Sequence, residues 1–333
     1  MMTKIRNANK SNANRLRILK FAQRPELVTF ILLILCFWVS TIISPYFLDA
    51  GYILDSTTLY NEFGIMAIAM TFIIIAGQID LSVASMMTLV SCLTAMIFHA
   101  GVPMGIALVL GLLIGIGLGM INGALVAFLD LPPLIVTIGT MALFRGVAQI
   151  FIGDHSLSDF PSWFVGVDKF VIPGTDIPWT LILFLILALG MGLLLSKTKF
   201  GRHVYAIGTS ENAAKYAAVP VKRQKMILFA LSGLFAAIGG MLTMSRLAVV
   251  RYDMALGGEL DIITMALLGG TDINGGKGTM LGTVIGMLVL TLMRTGMSVA
   301  RVKIQYQMAI MGALLIISII IPNIVRYIRD RND

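Results

Sequence analysis

The chain has 333 residues, 58% of them hydrophobic and 13% charged, with a mean hydropathy of +0.91. Soluble domains carry roughly a quarter charged residues, so this composition is that of an integral membrane protein and excludes a soluble globular domain of this length. The formal charge of +8 would suit a nucleic-acid binder, but seventeen of the 25 basic residues fall in 1–26, 196–225 and the tail after Pro322, a clustering that orients a membrane protein and calls for no nucleic acid.

Seven basic residues, Lys4 to Arg24, precede the first apolar run, and no small-residue cleavage site stands near its end, so that span is expected to be retained. Stretches of about 20 apolar residues cross a bilayer. Candidates lie at 27–46, 60–77, 83–100, 104–128, 134–152, 178–196, 226–246, 260–270, 279–296 and 305–322. Ten spans predict an all-α polytopic protein with both termini in the cytoplasm: a basic segment 1–26, one transmembrane domain 27–322 with a cytoplasmic loop at 197–225, and a tail 323–333. Loops 47–62 and 153–177 are poor in Lys and Arg, as external loops are.

Cys36 and Cys92 sit inside apolar runs, which supports neither a disulfide framework nor a metal cluster. Span four carries Gly111, Gly115, Gly119 and Gly123 at four-residue spacing, one helical face on which backbones can approach closely, within the chain or between copies. Beyond it, Asn122, Thr137, Thr140, Arg145 and Gln149 are candidates to line a hydrophilic path. The competing reading bonds each Thr to its own helix and lets Arg145 snorkel outward. Arg145 is read as the most costly charge inside any predicted span.

The long polar island 196–225 reads SKTKFGRHVYAIGTSENAAKYAAVPVKRQK, with seven basic residues against the single acid Glu211. Gly208, Thr209 and Ser210 precede a helix-forming stretch, 211–218, that Pro220 stops. A plain connector needs no capped, alanine-rich helix, so a cytoplasmic partner is expected.

Segment 260–270 is too short for a full crossing and runs into GGTDINGGKG at 269–278, a composition expected of a broken or re-entrant helix. GQIDLSVAS at 77–85 echoes it; internal duplication and ordinary helix termination both produce such echoes. Asp80 and Asp272 are read first as helix-end caps near the interface, with proton coupling as the alternative. The 269–278 stretch fails the phosphate-loop pattern, because Thr271 stands where its first Gly would be. His99, His155 and His203 are scattered, and no catalytic grouping presents itself, so no enzyme is expected.

The stretches GQIDLSVAS, INGALVAFLDLPPLIVTIGTMALFRG, TKFGRHVYAIGTSENAAKYAAVPVKRQK, LDIITMALLGGTDINGGKGTMLGTVIG and QYQMAIMGALLIISIIIP run in order from about residue 60 to 322. Together they resemble the permease subunits of bacterial ABC importers for monosaccharides, the ribose, galactose, arabinose, rhamnose and autoinducer-2 type. The resemblance implies a bacterial inner-membrane subunit that pairs with a second permease copy or paralogue, two ATP-binding cassette subunits and a periplasmic sugar-binding protein. ATP and magnesium would bind those partners, and this chain would bind no cofactor.

By the same resemblance, Ser210, Glu211, Asn212, Ala213, Ala214, Lys215, Ala218 and Val219 form a coupling helix that docks on the ATPase. Gln78, Asp80, Asn122, Thr137, Thr140, Arg145, Asp272 and Asn274 are the candidate translocation-path residues. Ala218 stands where the family usually has Gly, so either the turn after the helix is altered or the helix runs one residue further. Gln78 and Ala84 replace usual glycines as well. An ion-gradient-driven secondary transporter is the alternative reading.

Overall fold

The computed structural model describes residues 25–167 and 170–330, so most of the predicted basic segment 1–26 and the last residues of the predicted tail lie outside the described residues. Among the described residues the regular structure is helical, apart from isolated bridges at Leu157–Val250 and Val171–Pro178. The principal helices are α1 (Pro25–Ile43), α2 (Ala50–Ser56), α3 (Asn61–Ile75), α4 (Val83–His99), α5 (Met104–Phe128), α6 (Pro133–Ile152), α7 (Trp179–Lys197), α8 (Lys199–Thr209), α9 (Glu211–Tyr216), α10 (Val221–Leu247), α11 (Gly258–Leu268), α12 (Met280–Val299) and α13 (Ile304–Asp330).

Each of the ten apolar runs carries a helix, but they differ in reach. Five helices, α5, α6, α7, α10 and α12, are long and apolar enough to cross a membrane, and the pair 50–59 and 61–75, bent by 64°, makes a sixth if counted as one span.

Burial explains the layering. Every α3 residue but Phe63 is buried, so this helix, apolar all round, is the centre of the bundle. It is enclosed by α7, α10, α11 and α12, and α4 is buried nearly as fully against α5, α6 and α10. The outer helices α5, α6 and α7 instead present large apolar side chains outward, including Ile106, Leu113, Ile135, Ile186 and Leu189. With no polar face turned to solvent, that surface matches hydrocarbon.

The glycine stripe of α5 lies against α10. A Cβ on Gly115 would strike the backbone of Gly233, one on Gly119 the carbonyl of Phe229, and one on Gly123 would approach Met226 at 3.1 Å. The close approach predicted from spacing is therefore made within the chain. Across the bundle, Gly282 and Gly286 let α12 touch the backbone of α11 at Gly269 and Met265 in the same way.

Residues 269–278 form a compact turn near the island end of the bundle, closed by the Asp272 N–H to the Lys277 carbonyl at 3.0 Å. The irregular stretch that precedes the short helix α11 is 248–257. Pattern reading placed the break at the glycines, which instead serve the turn.

Candidate functional site

The island builds a small, firmly terminated unit. Thr198 caps α8 by accepting from the Gly201 N–H at 3.3 Å, and Ser210 caps α9 by accepting from the Ala213 N–H at 3.3 Å. Glu211 stands in the first turn of α9, where a carboxylate suits the helix dipole. It pairs with Lys215 at 2.9 Å and with Lys225 of α10 at 2.8 Å.

Partial burial pushes the Glu211 carboxyl up, but the hydrogen bonds and charges of Lys215 and Lys225 outweigh it and hold it below the usual carboxylate range. The Lys215 ammonium is raised, first by its hydrogen bond to Glu211.

The end of α9 departs from both sequence expectations. The helix stops at Tyr216, and Ala218 takes φ +57. The Val219 N–H reaches the Ala214 carbonyl at 3.0 Å and the Ala218 N–H reaches the Lys215 carbonyl at 3.1 Å, a Schellman ending with alanine where glycine is usual. Pro220 cannot continue the helix, so the chain accepts the left-handed residue. Ala214 is buried under the unit, whereas Asn212, Ala213, Lys215 and Tyr216 are exposed, Tyr216 at 93%.

Behind α9 lies a backbone junction. Gly208, in the last turn of α8, packs against the Ile75 carbonyl at the end of α3 and against the Gly276 N–H, leaving no room for a Cβ. Gly276 donates to Ile75 at 2.8 Å, and Tyr205 donates through its hydroxyl to the Gly278 carbonyl at 2.7 Å.

The two echoing stretches meet here as paired helix ends. Gly77 (φ +71) and Gly270 (φ +85) each terminate a helix, with Gln78 N–H to Ile73 and Thr271 N–H to Ala266. Each stretch thus has a left-handed glycine with a local cause, the helix end, although the two are one position apart when Asp80 and Asp272 are aligned.

Of the predicted path residues, the structure gathers Asp80, Asn122 and Thr137. Asp80 stands just before α4 and accepts from the Ser82 N–H (2.9 Å), as a helix-end carboxylate does, but it is fully buried and also accepts from the Ser82 hydroxyl (2.6 Å) and the Ser232 hydroxyl of α10 (2.7 Å). Asn122 donates to the Ser82 hydroxyl at 2.7 Å, and Thr137 donates to Ile79 at 3.3 Å as well as to its own helix. Gln78 is buried beside this loop, and Thr140 bonds only its own helix.

Asp272 and Asn274 lie elsewhere, in the junction turn. Asp272 accepts there from Asn274 and does not cap the following helix, whose cap is Thr279. Arg145 does not snorkel; it donates to the carbonyls of Tyr252 and Met254 at 3.2 Å each.

Sequence reasoning missed four charges inside or beside the spans. Asp261 of α11 pairs with Arg294 of α12 through both carboxylate oxygens at 2.6 Å, and Glu62 of α3 pairs with Arg246 of α10. Arg145 is therefore not the one costly interior charge; Arg294 lay inside the ninth predicted span and Asp261 inside the eighth. Their location was legible, but their partners were not.

An apolar-faced helical bundle with ion pairs in its interior and a capped, exposed helix at one end is that of a polytopic membrane transport component. The chain matches the family described as "Branched-chain amino acid transport system / permease component" over residues 52–319, and it belongs to that family. Among similar proteins, the autoinducer 2 import system permease protein LsrD of Escherichia coli K12 is 36% identical over 284 residues, covering 84% of this chain and 86% of that protein. The LsrD proteins of Shigella flexneri and Escherichia coli O157:H7 match to the same extent. No solved structure matches.

Proposed function

We propose that this chain is the membrane-spanning permease subunit of an ATP-driven, binding-protein-dependent importer for autoinducer 2 or a monosaccharide in a bacterial inner membrane. It forms the translocation path with a second permease, identical or paralogous. Two ATP-binding subunits, which carry ATP and magnesium, drive it, and a periplasmic binding protein delivers the solute. Membership in a permease family whose relatives are import-system permeases sets aside the ion-gradient alternative.

All ten apolar segments cross the membrane in this reading, α1 and α13 included, α11 doing so only together with the irregular 248–257 that precedes it, and both termini are cytoplasmic. The short members α4 and α11 are accommodated because they are enclosed by longer helices. The basic island faces the cytoplasm and the 153–177 connection faces the periplasm.

The observation that carries the coupling assignment is α9 itself. It is short, capped by Ser210, pinned to α10 by Glu211–Lys225, and exposed at Asn212, Ala213 and Tyr216, so it offers a partner a rigid edge. Motion imposed on α9 passes through Gly208 to the ends of α3 and the 270–278 turn, which touch it backbone to backbone.

The test is copurification of this chain with ATP-binding subunits, followed by ATPase assay in liposomes with and without a liganded periplasmic binding protein. Copurification with stimulation by the binding protein is the expected result. A chain that purifies alone and moves solute under an imposed ion gradient would overturn the reading.

A further inference from the structure

The connection from α10 to α11, residues 248–257, is irregular, with Ala248, Ala255 and Gly257 at φ 53, 52 and 82. It starts at the end of the bundle opposite the island, where Val250 and Leu157 exchange N–H to carbonyl bonds of 2.8 and 3.0 Å. It does not stay there. The Met254 carbonyl accepts from the Thr88 hydroxyl at 2.7 Å. Thr88 lies 99 − 88 = 11 residues before the end of α4, about 16 Å inward at the helical rise.

The Arg145 guanidinium holds the Tyr252 and Met254 carbonyls from a position 152 − 145 = 7 residues inside the end of α6, about 10 Å inward. With a hydrocarbon core about 30 Å thick, non-helical backbone reaches close to mid-membrane.

Such backbone is tolerated at that depth only where protein or water surrounds it. Protein of this chain does not cover all of it. Arg251 and Asp253 are paired through two bonds of 2.9 and 3.0 Å, yet their side chains are 49% and 43% exposed, and Leu256 beside them is also exposed. Hydrocarbon is a poor neighbour for an exposed ion pair.

Glu259, at the start of α11, adds a buried Oε2 that has no hydrogen-bond partner among the described residues, and it lies with Asp253 within Coulombic reach of Arg145. The four charges, Arg145, Arg251, Asp253 and Glu259, cancel. A group with paired guanidinium donors and carboxylate acceptors and no net charge suits hydroxyls, which donate and accept at once.

We propose that 248–257, with Arg145 and Glu259, forms the polar wall of a water-filled solute path in the half of the membrane opposite α9, and that it binds a small, neutral, polyhydroxylated solute. This rests on the importer reading and names the residues that would touch its cargo.

The test uses the assembled transporter with Cys36→Ser and Cys92→Ala as background. Cysteines are placed singly at Asp253, at Leu256 and, as a lipid-facing control in the middle of α7, at Leu189, which is 66% exposed. A charged, membrane-impermeant methanethiosulfonate, added from the side opposite α9, is expected to label the first two at least about ten-fold faster than the third, because it needs a hydrated thiolate. Autoinducer 2, as the probe solute, is expected to slow that labelling, and Glu259→Gln is expected to raise the KM for its uptake several-fold more than it lowers the maximal rate.

Equally slow labelling at all three positions, in a complex that still transports, would overturn the water-filled wall alone. Fast labelling of the same cysteine variants, in a chain that binds no ATPase subunit, would overturn the importer reading and leave the hydrated segment standing.

Discussion

Glu211 and Lys225 meet at 2.8 Å across the turn at Val219 and Pro220, so the first residue of α9 is tied to the second turn of α10. The same carboxylate also holds Lys215 at 2.9 Å, four residues along its own helix. One side chain thereby sets the angle between the exposed helix and the long helix that carries Gly233 and Ser232 into the bundle.

Glu211→Arg should release α9, leaving Lys225 unpaired and placing a cation beside the positive end of the helix dipole. The chain should still insert, since the island lies outside the apolar core, but stimulation of the partner ATPase by the binding protein should fall. Undiminished stimulation would contradict the coupling role.

Acid should act through the same carboxylate. Its folded pKa is depressed, so its contribution is present above the unfolded value of about 4.3 and is lost as pH falls through the lower folded value. Limited proteolysis of the purified chain should show cleavage at 209–220 rising below about pH 4, and Glu211→Gln should remove that dependence.

Ala218 occupies a left-handed conformation that costs an L-residue about 1 kcal/mol relative to glycine. Ala218→Gly should therefore raise the thermal midpoint of the detergent-purified protein slightly while keeping transport. Ala218→Val should lower it by more than the gain, because a branched side chain fits that region worse. A destabilised glycine variant would show that the turn is not as described.

Gly119→Leu should abolish folding of the chain itself and not merely its association with a partner, because the added side chain meets the Phe229 carbonyl inside the same molecule. Size-exclusion profiles and membrane yield distinguish the outcomes: a folded monomer in good yield would show that the stripe serves an interface between chains.

Asp261 and Arg294 form a nearly buried pair, with side chains 7% and 11% exposed. Breaking one partner of such a pair typically costs about 3–5 kcal/mol. Arg294→Gln should depress the thermal midpoint strongly, and Asp261→Leu together with Arg294→Met should restore most of it. An additive double variant would mean that the two residues act independently.

Membrane class, the apolar runs and the capped helix of the island follow from quantities local along the chain: apolar run length, the position of Ser210, and the breaking power of Pro220. Neighbouring residues suffice to compute each of them, and α5, α6 and α10 appear within a few residues of where the runs place them.

Pairing is not local. Asp80 meets Ser232 across 152 residues, Glu62 meets Arg246 across 184, and Thr88 meets Met254 across 166. A carboxylate at a span end reads the same whether it faces water or a serine on another helix, so the burial of Asp80 against Ser232 was decided only when α10 packed beside it. The glycines of 269–278 advertised a break in the span. Only packing decided that they close a turn against Gly208, and that the irregular backbone at membrane depth belongs to 248–257, a stretch whose composition is unremarkable because its conformation is imposed by Thr88 and Arg145.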